Sequence, residues 1–165
     1  MYCKINTKEL LILEALNDPN SEIFQTTLKN QNKFIIERLK KIKNRYLDDP
    51  FIIAPQKTEN IIRHLNNGPA ANLIQTFFNY KTDTCIFCKG IKGKNGIRQI
   101  ERAHCHNYSR SDILHLAILE IKEKLDAGEV VTSGEILRKF IEKHDRCPIY
   151  MLCNICHHKY DSRTF

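Results

Sequence analysis

The sequence predicts an α+β fold, mostly helical, with helices at the N-terminus and a small metal-stapled core that a helical insertion interrupts. Three observations carry that reading. Apolar residues recur at helical spacing through the first 80 residues and again between about 107 and 147. Two C-x-x-C pairs, Cys85-Ile86-Phe87-Cys88 and Cys153-Asn154-Ile155-Cys156, flank the second helical stretch. Asn95-Gly96, shortly after the first pair, marks a hairpin, because both residues tolerate the positive φ of a type I′ turn. Residues 1–80 therefore read as a helical extension, and 81–165 as a stapled domain with its insertion at about 107–147.

The first helix is expected after Asn6 or Thr7, with Glu9 placed for a capping box and Leu10, Leu13 and Leu16 on one face, up to Asp18-Pro19-Asn20. A longer helix spans about 21–47, where Phe24, Leu28, Ile35, Leu39 and Ile42 draw an apolar stripe and Asp48-Asp49-Pro50 stops it. Arg38, Lys40, Lys41, Lys43 and Arg45 fall on its polar side, which suits either a phosphate-facing ridge or a solvated face. After Phe51-Ile52-Ile53, helical signals return from Thr58 to Leu65 and again from Pro69, at a first-turn position, through Ile74, Phe77 and Phe78.

The character changes at Thr82-Asp83-Thr84-Cys85. A hairpin is expected next, its second strand running from Ile97 to Cys105 and bringing Arg98, Arg102, His104 and His106 onto one face by alternation. Within the insertion, one helix starts near Ser111, carries Leu114, Ile118, Ile121 and Leu125, and stops around Gly128. A second opens on the capping-box pattern Thr132-Ser133-Gly134-Glu135 and buries Ile136, Leu137, Phe140 and Ile141. Pro148-Ile149-Tyr150-Met151-Leu152 is a short apolar strand that feeds the second cysteine pair, and after Cys156 the chain turns helical.

Composition narrows the class of protein. A net charge of +7 and a pI near 9.0 favour a polyanionic partner. Seven cysteines, an odd number with four in matched pairs, fit a reducing compartment better than a secreted disulfide framework. Met1-Tyr2-Cys3-Lys4-Ile5-Asn6 lacks the layout of a signal peptide, and no apolar run approaches the ~20 residues that span a bilayer. A soluble, intracellular protein with no membrane partner is expected. A C-x-x-C pair lets two thiolates of one tight turn reach the same ion, and two such pairs supply the four sulfurs of a closed tetrahedral Zn²⁺ site. Cys85, Cys88, Cys153 and Cys156 are the expected ligands of this structural zinc, while Cys105 and Cys147 are read as buried thiols.

The order of these pieces resembles the HNH nucleases. The first C-x-x-C is followed by Glu101-Arg102-Ala103-His104 and then by Leu152-Cys153-Asn154-Ile155-Cys156-His157-His158-Lys159-Tyr160-Asp161. The zinc-stapled branch of that family of ββα-metal enzymes reads C-x-x-C, then A-H or D-H, then L-C-x-x-C-H-x-x-Y/F-D. The resemblance covers residues 85–106 and 148–161 and leaves the N-terminal helices and the insertion outside. It implies a ββα-metal (HNH) core in which His104 is the general base, taking a proton from water as it attacks the scissile phosphorus. It also implies that His157 is a ligand of a second, catalytic ion, Mg²⁺ or another divalent cation.

The chain departs from the family pattern in two places. The residue before the base is often a metal-ligating aspartate but here is Ala103, which leaves Glu101, His106 and Asp161 as candidates for a further protein ligand. An asparagine usually stands shortly before the second knuckle, where this chain has Pro148, so its orienting role passes to His144 or Asp145 or is absent. Helical geometry puts Asp161 at i+4 on the face of His157 and turns His158 about 100° away.

Lys89, Lys92, Lys94, Arg98 and Arg102 surround the expected hairpin and are candidate contacts to backbone phosphates, which supply affinity without reading sequence. The leading expectation is a metal-dependent DNA endonuclease of the restriction or mobile-element kind, hydrolysing phosphodiester bonds, with a homodimer left open. The alternative is a non-catalytic zinc-stapled nucleic-acid-binding protein that keeps the cysteines and lacks the chemistry. Imidazoles of His104 and His157 converging on one solvent-open groove favour the first; diverging rings favour the second.

Overall fold

The computed structural model describes residues 13, 16, 33–53, 57–78, 81–106, 108–144, 147 and 149–163. Leu13 and Leu16 are helical and buried. Asn6, Glu9, Leu10, Asp18-Pro19-Asn20, Phe24 and Leu28 lie outside the described residues, as do Asp145 and Pro148. Helix α1 (Lys33–Ile42) buries Leu39 and ends in a wide π turn (Lys43–Leu47) that tucks in Tyr46 and Leu47 before Asp48, the stop expected there. Helix α2 (Thr58–Leu65) does not end before Pro69. It continues through a second π turn (Asn66–Ala70) into α3 (Ala71–Phe77). Proline lacks an N–H and its ring collides with the carbonyl four residues back; a widened turn relieves both, so Pro69 sits inside a helix rather than in the first turn of a new one.

The insertion folds as its caps dictate. Helix α4 (Arg110–Asp126) begins at Ser109, whose hydroxyl accepts the Asp112 N–H at 3.2 Å while the Asp112 carboxylate accepts the Ser109 N–H at 3.0 Å. It closes at Gly128, whose φ of +76° lets the Glu129 N–H turn back to the Lys124 carbonyl at 2.9 Å. Helix α5 (Ser133–Lys143) carries the expected capping box, with Glu135 N–H donating to Thr132 Oγ1 at 3.3 Å and Thr132 N–H to Glu135 Oε2 at 3.1 Å. Ile136, Leu137, Phe140 and Ile141 are all buried.

The sheet differs from expectation. Strand β1 (Ile100–His104) pairs antiparallel with β2 (Ile149–Cys153), Ile100 opposite Cys153 and His104 opposite Ile149. Of the hairpin expected around Asn95-Gly96, only the turn forms: the two residues take φ of +51° and +79°, and the Ile97 N–H donates to the Lys94 carbonyl at 3.0 Å. The preceding segment folds back on the first cysteine pair instead, with Lys92 N–H on the Asp83 carbonyl at 2.7 Å and Cys85 N–H on the Gly90 carbonyl at 2.9 Å. Lys89-Gly90-Ile91-Lys92-Gly93-Lys94 has two glycines, three lysines and one apolar side chain, whereas Ile149-Tyr150-Met151-Leu152 is continuously apolar. Pairing with the second segment buries more, so it wins β1.

One apolar core joins Leu39, Ile61, Leu73, Phe77 and Phe78 to Ile113, Leu114, Ile118, Ile136, Phe140 and Ile149. The N-terminal helices and the insertion share this interior. Phe51-Ile52-Ile53 stitches the two together. Ile53 N–H donates to the Val131 carbonyl at 2.8 Å, Ser133 N–H to the Phe51 carbonyl at 3.0 Å, and Arg138 to Asp48 at 2.7 Å. A smaller cluster holds Cys85, Ile97, Ala103, Leu152, Cys153 and Cys156. The β1–β2 pair lies between the two, Ile149 belonging to the first and Ala103 and Leu152 to the second. Among the described residues, no helix is long and apolar enough to cross a membrane.

The tightest junction is at Gly134, where a Cβ would stand 2.3 Å from the Leu47 carbonyl oxygen and 3.2 Å from that of Asp49. Backbone cannot swing aside as a side chain can. Gly134→Ala is expected to cost roughly 1–3 kcal/mol, or roughly 2–12 °C of Tm at the 2–4 °C per kcal/mol typical of this chain length. A calorimetric Tm equal to the parent's would show that the junction yields at no cost.

Candidate functional site

Strand β2 runs directly into helix α6 (Asn154–Asp161), which starts inside the second knuckle rather than after it. Cys153 is the N-cap, its Sγ accepting the Cys156 N–H at 3.4 Å. The first pair is wrapped by the Lys89 N–H on the Cys85 carbonyl at 3.1 Å and the Gly90 N–H on Cys88 Sγ at 3.4 Å. Gly90 packs closely here: a Cβ would meet Ile97 Cδ1 at 2.3 Å, so the Ile97 side chain would have to shift. Ile86 N–H donates to the Met151 carbonyl at 3.0 Å and draws the two knuckles together.

The ligand atoms of Cys85, Cys88, Cys153 and Cys156 consequently lie within 4.8 Å of one another, Cys88 and Cys153 being 3.9 Å apart. Zinc with Zn–S bonds of about 2.3 Å sets tetrahedral sulfurs about 3.8 Å apart, so the cluster fits Zn²⁺. Its electrostatics agree. Burial opposes ionisation of Cys85, yet hydrogen bonds to backbone N–H groups bring it down to about 7, while burial and the neighbouring sulfurs push Cys156 up to about 12. Four sulfurs this close, three of them buried, cannot all ionise unless a cation balances them, so metal uptake must displace protons. Cys105 and Cys147 stand outside the cluster, Cys147 buried as expected.

Beside this staple opens a groove of about 480 Å³ lined by Arg102, His104, His106, Arg110, His157, Asp161 and Arg163, among others. The fold thus brings the two histidines to one solvent-open surface from a strand and a helix. Arg110 and Arg163 escaped the sequence reading. A signal existed for Arg110, since a basic residue in the first turn of a helix opposes the helix dipole and invites another reason for its presence. Lys89, Lys92, Lys94 and Arg98 are exposed beside the first knuckle and do not line this groove. Arg102 does line it, with its Nε donating to the Phe78 carbonyl.

His157 stands between two carboxylates, with Nδ1 2.5 Å from Glu101 Oε2 and Nε2 3.4 Å from Asp161 Oδ2. Burial alone would raise the Glu101 carboxyl, but hydrogen bonds from His157 and Gln99, with the charges of His157 and Arg98, hold it below its ordinary value. Glu101 is therefore an ionised acceptor, which puts a proton on His157 Nδ1. On the other edge of the ring, Nε2 and the Asp161 carboxylate face each other as electron-rich atoms and call for a cation between them, either a proton or a metal ion. The donor set fits a divalent ion on Nε2 and Asp161, with Glu101 as the carboxylate that orients the ring. Glu101, one of the candidate ligands, does not converge with Asp161, because the imidazole separates them. Among the described residues, the four cysteines alone form a set of three or more ligand atoms within mutual reach. His106, another candidate, is committed elsewhere: its ring stacks on Tyr160 at 3.9 Å and Nε2 donates to the Tyr160 carbonyl at 2.6 Å. His158 is exposed and off the groove.

Burial, then the charges of Arg110 and His157, lower the pKa of His104 to about 4, so the ring is neutral at pH 7. Its Nε2 lies 3.4 Å from Nε2 of His144, likewise held near 4, chiefly by burial. Comparisons with protein-family models, with curated proteins and with solved structures return no match.

Two tests follow from this geometry. Purified protein is expected to hold one zinc per chain, to melt lower in chelator, and to become protease-sensitive or insoluble as Cys153→Ser; zinc-free protein with a chelator-insensitive Tm would remove the metal from the account. The second test is pH. Unfolded histidines take up protons near pH 6.5, but His104 and His144 in the fold resist until about 4. The unfolded state thus binds more protons in that window, and stability falls as pH drops from about 6.5 towards 4, by on the order of 1 kcal/mol per histidine between pH 7 and 5.5. His144→Leu is expected to flatten the dependence of Tm on pH; an unchanged slope would contradict burial of a neutral pair.

Proposed function

We propose that this protein is a metal-dependent DNA endonuclease in which His104 is the general base and His157, with Asp161, holds a divalent ion, Mg²⁺ being the first candidate. The observation that carries the reading is the shared groove, where the imidazoles of His104 and His157 stand among the guanidinium groups of Arg102, Arg110 and Arg163. Such a surface suits a phosphodiester, whose charge guanidinium groups neutralise and orient. His104, neutral at pH 7, accepts a proton from water as the water oxygen bonds to phosphorus. The bond to the leaving oxygen breaks with its electron pair, and solvent returns a proton to that oxygen. His157 and Asp161 would hold the divalent ion, which when bound would supply Lewis-acid polarisation of the phosphate and offset charge on the leaving oxygen. The zinc cluster has no part in the chemistry and fixes the start of α6, hence the direction of His157.

Flanking charge extends the contact. Lys89, Lys92, Lys94 and Arg98 form an exposed basic surface beside the groove-bearing sheet. On α1, Lys40 and Lys43 are paired with Glu37 and Asp48, while Lys41 and Arg45 border a separate groove of about 400 Å³.

One observation favours the second reading, a zinc-stapled binding module: a base held near 4 is weaker than one tuned to neutral pH. Plasmid cleavage separates the two. Nicking or linearisation that needs Mg²⁺ is expected of the parent. His104→Ala is expected to lose ~10²–10⁴ in rate with DNA affinity and zinc content unchanged. His157→Ala is expected to need more Mg²⁺ and to recover in part with Mn²⁺, which binds such sites more tightly, while His158→Ala stays near the parent. Tight DNA binding without cleavage in either ion would establish the binding module instead.

A further inference from the structure

We propose that His144 is the positioning residue of the groove, holding His104 as the tautomer protonated on Nε2 so that Nδ1 is the nitrogen that receives the proton. The catalytic half of this statement rests on the reading of His104 as general base; the tautomer assignment does not.

His144 is 1% exposed and enclosed by Phe140, Phe78 and His104, with ring centroids at 4.5, 5.6 and 5.6 Å. An imidazole in such surroundings must satisfy its nitrogens locally. Nδ1 lies 2.7 Å from the Phe140 carbonyl oxygen, which has no proton to give, so the hydrogen belongs to Nδ1. Burial keeps the ring neutral, and a neutral ring protonated on Nδ1 presents a bare lone pair at Nε2. That lone pair faces His104 Nε2 at 3.4 Å. Two lone pairs would repel, so His104 Nε2 carries a hydrogen and donates it. In a neutral His104, the remaining nitrogen, Nδ1, is then the basic one.

The chain of bonds runs from the Phe140 carbonyl through His144 to His104 with every hydrogen assigned by a backbone oxygen that can only accept. It also accounts for an otherwise expensive choice. Leucine would fill the same site with no polar atom to satisfy, and the other buried polar side chains among the described residues, Thr76 and Ser133, are far smaller. When His104 Nδ1 accepts a proton, its Nε2–H bond to His144 becomes charge-assisted and stronger. The His144 lone pair thus supports the imidazolium that forms in the reaction, without itself touching substrate.

The test uses the full chain with ¹⁵N-labelled histidine and long-range ¹H–¹⁵N correlation at pH 7.5, where both rings are neutral. The expected spectrum shows opposite tautomers in contact: His144 protonated on Nδ1, and His104 protonated on Nε2 with a solvent-shielded Nε2–H resonance. His104 protonated on Nδ1, or His144 on Nε2, overturns the proposal whatever the cleavage assay shows. His144→Leu removes the acceptor and keeps an apolar filling, so the shielded His104 resonance is expected to vanish. kcat for plasmid cleavage is expected to fall roughly 10- to 100-fold, with KM and the Mg²⁺ requirement near the parent's. His144→Gln, which can place an oxygen near the position of Nε2, is expected to restore both the resonance and most of kcat. Parental kcat in folded His144→Leu, or a loss in both variants that merely follows their Tm, also overturns it. A parent that cuts no DNA disproves the nuclease reading and with it the catalytic half, while the spectrum alone decides the tautomer pair.

Discussion

Cys88 and Cys153 meet sulfur to sulfur across 65 positions of chain, and the region that carries the groove hangs on that closure. The buried cluster around them is Cys85, Ile97, Ala103, Leu152, Cys153 and Cys156, half of it cysteine, with Ile86, Ile100, Tyr150 and Tyr160 packed partly buried against it, a small core of the kind that a metal commonly supplements. A cation among the four sulfurs would turn the mutual repulsion of their thiolates into attraction and tie the first knuckle to the β2–α6 turn. With that turn held, β1 finds β2 in register and Cys153 caps α6. His157 follows one residue after a cluster member. The direction of its ring is then set by Glu101 on the neighbouring strand, so the staple and the groove share one backbone.

The helical body also shapes the groove. Because the N-terminal helices and the insertion share one apolar core, the C-terminal end of α5 is pressed against Phe78, and His144 sits where it meets His104. The start of α4 is positioned by the same packing. Arg110 lines the groove while its Nε donates to Asn66 at 2.9 Å, a residue of the π turn that Pro69 produces. Distortion in one helix thereby supplies a partner for a cation on another. A stapled core standing alone would lack both Arg110 and His144.

Electrostatics in the groove divide into two regimes set by burial. His104 and His144 lie deep enough that desolvation keeps them neutral, and their hydrogen bond is decided by tautomer. His157 lies nearer solvent between two carboxylates, and its edge facing Asp161 is decided by which cation is present. His104 and His157 therefore meet the groove in different electrostatic settings, fixed by environment rather than by residue type.

What was legible in the sequence was local. Ser and Thr caps, the Gly128 stop, the spacing of Leu114, Ile118 and Ile121, the four cysteines and the i+4 placement of Asp161 all act over a few residues, where backbone geometry leaves few choices. The Asn95-Gly96 turn was legible for the same reason, but its strand was not, since β1 chooses between remote segments by how much each can bury. Pro69 misled because a π turn can absorb a proline that an α-turn cannot. The sequence by itself determined local placement: the cysteine set in two tight turns, His104 on a strand and His157 on a helix. Only the tertiary structure decided which groups face them. Glu101 against His157 and His144 against His104 are contacts between elements 56 and 40 residues apart, fixed by the packing of two clusters across one short sheet. No spacing rule reaches that far, because the relative placement of distant elements is set by which apolar faces cover one another.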